Sequence, residues 1–207
     1  MGWLEAVIGG LVAPRCAACG RSCLVDAVIC TPCTRRLATA GPLSGPGPPG
    51  VDRAWSSAAY EGVARDLVAA LKFRRLLVVA DLMADRIHWL APADLLSGTI
   101  VPVPAARFRS MRRGFDPAGE LAAALSERAG LPVCDCLERL GGGRQVGRRR
   151  AERVGDPPVI RAGGEAPPSA LLVDDVLTTG ATVSACARAL REAGAVRIAA
   201  VTFARRP

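Results

Sequence analysis

Leu171 to Thr182 reads LLVDDVLTTGAT, and the reading of this stretch decides the fold. Leu171, Leu172 and Val173 follow the polar, proline-rich EAPPS of residues 165–169 and open as a short buried strand. Asp174 and Asp175 come next, then the small residues Thr178, Thr179, Gly180, Ala181 and Thr182. VSACARALREAG, residues 183–194, continues with apolar positions at helical spacing. The order is strand, acidic pair, glycine-containing loop, helix. It sets residues 178–182 at a helix N-terminus, where free N–H groups and the helix dipole favour a phosphate. Gly180 lets the backbone approach the anion, and the threonine hydroxyls add donors. A nucleotide-triphosphate loop would need Gly-Lys-Ser/Thr, but the only lysine of the chain is Lys72. A dinucleotide fingerprint would set glycines where the two aspartates stand. Adjacent carboxylates before a phosphate loop suit the vicinal hydroxyls of a ribose whose 5-phosphate sits in that loop. The alternative is an acidic strand end followed by an ordinary capped helix with no ligand.

On these residues the chain resembles the type I phosphoribosyltransferases, whose signature has this hydrophobic, acidic-pair, TTGAT form. The resemblance implies that Asp174 and Asp175 hold the ribose hydroxyls of phosphoribosyl pyrophosphate (PRPP). It implies likewise that Thr178, Thr179, Gly180, Ala181 and Thr182 hold its 5-phosphate.

The 207 residues suffice for one core with a small appendage. Half are hydrophobic, and no apolar run approaches the length of a membrane span, so a soluble protein without stable membrane insertion is expected. The net charge of +8 rests almost wholly on arginine, whose forked guanidinium suits phosphate, pyrophosphate or a nucleic-acid backbone. Basicity permits nucleic acid without demanding it. His88 is the single histidine and lies in a helical pattern, which argues against a histidine-dependent triad.

Of eight cysteines, five fall between Cys16 and Cys33. Cys16-x-x-Cys19 and Cys30-x-x-Cys33 form two knuckles, the spacing of a closed tetrahedral zinc site with a structural role. Cys23 is a spare thiol between them, and Cys134-x-Cys136 has the wrong spacing for a knuckle. No basic residue precedes the apolar N-terminal stretch, and Glu5 interrupts it, so a signal peptide is not expected and a reducing cytoplasm is. Trp3, Leu4, Val7, Ile8, Leu11 and Val12 share one helical face, which suits a short helix on the protein's own core or on a membrane surface.

Three parts follow: an N-terminal helix and zinc module over residues 1–40, a Gly/Pro linker over 41–50, and a main domain over 51–207. Within the last, strands are expected at Trp55–Tyr60, Thr99–Val103, 133–137 and Arg197–Ala204, and helices at 62–75, 76–90 and 117–129. Asp116-Pro117 supplies an N-cap and first-turn pair. Buried strands alternating with helices argue an α/β fold with a parallel sheet flanked by helices. The loop after the second strand carries Arg107, Arg109, Arg112 and Arg113 on the sheet edge that bears the phosphate motif, a placement that suits a leaving pyrophosphate. Lys72-Phe73-Arg74-Arg75 reads as a solvated helix end or as the lining of an anion site. Residues 141–169 are basic and glycine-rich without clear periodicity, and read as a lid, a nucleic-acid arm or a disordered segment.

Taken together, the knuckles, YEG-x-x-R-x-L with LKF (60–73), VPVP (101–104), RRGF-D (112–116) and LLVDDVLTTGAT are similar to the ComF family of phosphoribosyltransferase-like proteins. Family members are linked to competence for DNA uptake. One region departs from the family: of a Thr-x-x-Gln element and the arginine and asparagine beyond it, Gln145 and Arg153 remain, with Gly142 and Asp156 at the other two positions. The resemblance implies a magnesium-dependent glycosyltransferase acting on PRPP. The alternative is a non-catalytic competence factor that keeps the phosphate pocket and binds single-stranded DNA; a PRPP-sensing regulator is a third reading. An oligomer is compatible with each.

Overall fold

The computed structural model describes residues 14–106, 113–140 and 158–206. In chain order the elements are α1 (Thr31–Thr39), β1 (Leu43–Gly45), β2 (Arg53–Ala59), α2 (Gly62–Arg74), α3 (Val78–Leu90) and β3 (Thr99–Pro102), then α4 (Pro117–Ala129), β4 (Leu137–Leu140), β5 (Val159–Ala162), β6 (Ser169–Leu177), α5 (Ala181–Glu192) and β7 (Arg197–Arg205). The main sheet has the order β1-β2-β7-β6-β3. Its strands are parallel except β1, which pairs antiparallel with β2 at the edge. The α/β architecture expected from the sequence is present.

The sheet is covered on both faces, as a parallel sheet must be. Alternation along each strand sorts the side chains. Leu171 and Val173 of β6, with Val201 and Phe203 of β7, face α2, α3 and α4, where Leu67, Leu71, Met83, Ile87, Leu121 and Leu125 are buried. Leu172 of β6 and Ile198 and Ala200 of β7 face α5, with Val183, Cys186 and Leu190. Cys16, Ala17, Ile29, Cys33 and Leu37 join the first of these cores, so the cysteine knuckles and α1 pack directly on α2. Arg86 of α3 braces this contact by donating to the carbonyl of Ser57 at 3.1 Å and to that of Ala40 at the end of α1.

Three segments differ from expectation. Residues 41–50 are not irregular throughout: β1 forms at Leu43–Gly45, between the prolines, because the edge of β2 offers it an antiparallel partner. Around 133–137 the chain makes a single parallel bridge between Val133 and Ile100, and the regular strand lies later, at Leu137–Leu140. Within 141–169, residues 158–169 are ordered and include β5, antiparallel to β4, with Ile160 the buried position. A four-residue strand with a single buried position carries too little apolar pattern to announce itself. Residues 141–157 lie outside the described residues, as do the N-terminal apolar face at 1–13 and Gly142, Gln145, Arg153 and Asp156. No helix among the described residues is long and apolar enough to cross a membrane.

Candidate functional site

The site originates in a difference of strand length. The last β3–β6 partners are Pro102 and Val173, after which the Val103 N–H donates once more to the Val173 carbonyl at 3.0 Å. β3 then leaves the sheet, while β6 continues to Leu177 paired only with β7. The chain from β3 goes to α4 on one face, and the chain from β6 goes to α5 on the other. The two connections part, and such a point in an open α/β sheet leaves a crevice at the strand C-termini. Here it is a cleft of about 230 Å3, bounded by Val103 to Ala106, Asp116 to Ala118, Asp174 to Val176, Thr178 and Thr182, with Lys72, Arg113 and Arg139 also on its wall.

Asp174 and Asp175 both line this cleft from opposite faces of β6. Asp175 lies on the α2 side, 3% exposed, with its Oδ2 2.8 Å from Lys72 Nζ. That approach falls outside hydrogen-bond angles, so Oδ2 has charge compensation without a directed bond. Asp174 lies on the α5 side, and its Oδ1 accepts from the Asp175 N–H at 2.8 Å. Although Asp174 keeps some contact with solvent, burial among protein atoms holds its carboxyl well above the ordinary carboxylate range; the charge of Asp175 adds to this and Lys72 opposes it. Beneath it, burial pushes the Cys186 thiol of α5 up to about 12, with Asp174 contributing.

Asp116 caps α4 as the sequence predicts, accepting from the Ala118 N–H at 3.1 Å. It also accepts from the Ala105 N–H at 3.5 Å, which ties the loop after β3 to the head of α4. Burial raises its carboxyl, against those two donors, and nearby Asp175 contributes. The cleft combines acids with a high proton affinity and cations on the wall. Acidic and cationic groups thus share one electrostatically polarised cleft.

The turn after β6 divides its tasks. Thr178 and Thr182 line the cleft. Thr179 Oγ1 accepts from the Ala181 N–H at 3.4 Å, a local cap on the first turn of α5. Gly180 is buried with φ +77°, and a Cβ there would meet Pro48 at 2.7 Å. Its glycine is therefore required by backbone conformation and by the brace that Pro48 sets against it, rather than by approach of an anion alone. Of the four loop arginines, Arg113 lines the cleft, and Arg107, Arg109 and Arg112 lie outside the described residues. Sequence reading left Lys72 between two roles and passed over Arg139 and the second role of Asp116. The signal available for Lys72 was its singularity in an arginine-rich chain.

Cys16, Cys19, Cys30 and Cys33 converge with their sulfurs all within 4.8 Å of one another, the one cluster of three or more such metal donors among the described residues. The Cys19 and Cys30 sulfurs are 3.7 Å apart, close to the ~3.8 Å edge of a tetrahedron with zinc–sulfur bonds of about 2.3 Å. The Cys19 N–H donates to Cys16 Sγ at 3.5 Å, which supports a thiolate. Burial works to raise the Cys16 thiol, yet N–H groups of Cys19, Cys30 and Ala18 draw it down to about 6. The donor set fits a closed structural metal site. Cys23 stands outside it, donating to the carbonyls of Ala27 at 3.2 Å and Pro14 at 3.4 Å.

Residues 111–207 match the family model for the phosphoribosyl transferase domain. Over 97 residues, 46% of this chain, the sequence is 36% identical to competence protein ComFC of Streptococcus pneumoniae (strain ATCC BAA-255 / R6), and the match spans 42% of that relative's length. The family match takes in the Asp116 cap, the acidic pair and the α5 turn, and the knuckles precede it. Over residues 111–207, on a mostly parallel sheet, the chain is thus similar to the phosphoribosyl transferase domain and to competence protein ComFC.

Proposed function

We propose that the cleft binds PRPP with magnesium and transfers its phosphoribosyl group to a nitrogen acceptor. Asp174 and Asp175 accept from the ribose hydroxyls. The N–H groups of the first α5 turn and the hydroxyls of Thr178, Thr179 and Thr182 take the 5-phosphate, with Gly180 and Ala181 supplying backbone. Arg113, with Arg107, Arg109 and Arg112 on the same loop, stabilises charge on the departing pyrophosphate. The described acids do not converge into a cation cage of their own, so magnesium would arrive held largely by PRPP oxygens, neutralising their charge. Little acid–base machinery is needed, in keeping with the single histidine. Zinc in the four-cysteine cluster is structural, and reduced thiolates suit a cytoplasmic setting.

The observation that carries this reading is the joint placement of the acidic pair, the α5 N-terminus and the cations Lys72 and Arg113 around one cleft. Calorimetric titration of the zinc-loaded protein with PRPP and magnesium, beside an Asp174→Ala, Asp175→Ala double variant, tests it. Micromolar-range binding that the variant loses is expected; absence of binding by the folded wild type sinks the proposal.

A second reading draws on the likeness to a competence protein and on the net charge of +8. In it the same pocket serves a DNA-uptake factor that grips single-stranded DNA, whose binding would fall steeply with salt.

A further inference from the structure

The last turn of α2 stands between two places that the sequence keeps far apart. Lys72 reaches into the cleft, its Nζ 2.8 Å from Asp175 Oδ2. Arg74 lies two residues on, about 200° further round the helix. It points the other way and donates to the carbonyl of Ala17, between Cys16 and Cys19. The helix end holds both side chains as one piece. Its C-cap, Arg75, takes the left-handed region at φ +52°, and the N–H groups of Arg75 and Leu76 both donate to the Ala70 carbonyl. The Arg75 guanidinium, 5.9 Å from the Phe115 ring, holds the turn from the α4 side as well.

The carbonyl that Arg74 engages belongs to the Ala17–Ala18 peptide. Burial works against a Cys16 thiolate, and the N–H of that same peptide is one of the donors that support it. Arg74 thus reaches the metal site through a single peptide plane, while Cys16 and Ala17 pack in the core that holds Leu67 and Leu71 of α2. Groups one step behind a metal ligand orient it, and are oriented by it in turn. We infer that Arg74 is a positioning residue: anchored on the metal-bound knuckle, it sets the last turn of α2 so that Lys72 faces Asp175. Removal of the metal, or of the Arg74 guanidinium, relaxes the turn and releases Lys72 from the acid. The cleft then presents its two adjacent carboxylates with less positive charge beside them, which disfavours an anionic ligand. Only this last consequence rests on the ribose-phosphate reading.

Lys72 carries the only side-chain amine of the chain, so an amine-reactive reagent reads its position without any ligand. The full chain is acetylated with a succinimidyl ester in three forms: zinc-loaded wild type, wild type stripped by a chelator, and zinc-loaded Arg74→Met. Held against Asp175, Lys72 should react slowly in the first form. In the other two its modification, followed by mass spectrometry, is expected to be at least about fivefold faster. Zinc should stay at one per chain in Arg74→Met, and hydrogen exchange in β6 and β7 should match the wild type, which separates repositioning from unfolding. Where only one of the two altered forms keeps that protection, that form decides. The inference is overturned if Lys72 reacts at the wild-type rate in a form with β6 and β7 protected, or if both forms lose the protection. PRPP with magnesium, titrated into the same forms, should bind the second and third more weakly than the first. Failure of PRPP to bind the wild type, with Lys72 still responding to Arg74, would remove the ribose-phosphate reading and leave the positioning role standing.

Discussion

Asp174 is held in a state that folding alone would not choose. Burial and the neighbouring Asp175 raise its carboxyl above its unfolded value, so the folded chain keeps this proton to higher pH than the unfolded chain does. Its contribution is most favourable below the ordinary carboxylate range and declines as pH rises through the raised folded value. Asp116 acts in the same direction. Asp174→Asn is therefore expected to stabilise the unliganded protein at neutral pH by about 1 kcal/mol, roughly 2–4 °C in thermal midpoint, while abolishing PRPP binding. Calorimetry in buffers of different ionisation enthalpy should detect protons released when the wild type binds magnesium and PRPP, with that release reduced in the variant. An unchanged midpoint together with intact binding would contradict the assignment. The acidic pair was legible from sequence because its chemistry follows from residue order alone. Lys72 was not, since its contact with Asp175 is made by two elements far apart in the chain, and no local pattern reports that.

Among the elements, the parallel strands and their helices announced themselves through long apolar patterns, as β6 and α5 do. β1 and β5 did not, being three and four residues long and defined by their partners. The region around β1 bears on the site. Pro48 packs on Gly180, and a Cβ on Gly50 would meet Ala187 of α5 at 3.2 Å, so the proline-rich segment braces the turn after β6 and the helix behind it. Gly180→Ala should cost about 2 kcal/mol or more, from a left-handed backbone position together with overpacking. Pro48→Gly in the same chain, which removes both the Cγ and the Cβ that the new methyl would meet, should recover the steric part but not the backbone part. Urea unfolding of the two single variants and the double variant measures the coupling; strict additivity would show that the contact with Pro48 carries no cost.

For the whole molecule, the knuckles share a hydrophobic core with α2 and α3, for Cys16, Ala17, Cys33 and Leu37 join the cluster that holds Leu67 and Met83. Cysteine spacing revealed the donor set; it carried no information about what the set packs against. Stripping the metal should therefore affect more than the N-terminal module. One zinc per chain is expected by elemental analysis, and chelation should lower the thermal midpoint by about 6–12 °C, the shift that matches a loss of about 3 kcal/mol in a chain of this size. Hydrogen exchange should quicken in α1 and along α2 while β6 and β7 stay protected. A midpoint indifferent to chelation would mean that the thiols support one another without a metal.

The last turn of α2 sets a limit on how this chain can change its length. Lys72, Phe73, Arg74 and Arg75 point to four different destinations: the acidic strand, the arginine loop, the knuckle and Phe115. Each residue added to or removed from an α-helix turns everything beyond it by about 100°. A single deletion between residues 63 and 70 would misdirect all four side chains together, even if every buried position stayed apolar. Composition in this helix is free to drift within its pattern, but its count of residues is fixed, as the teeth between two meshed gears are.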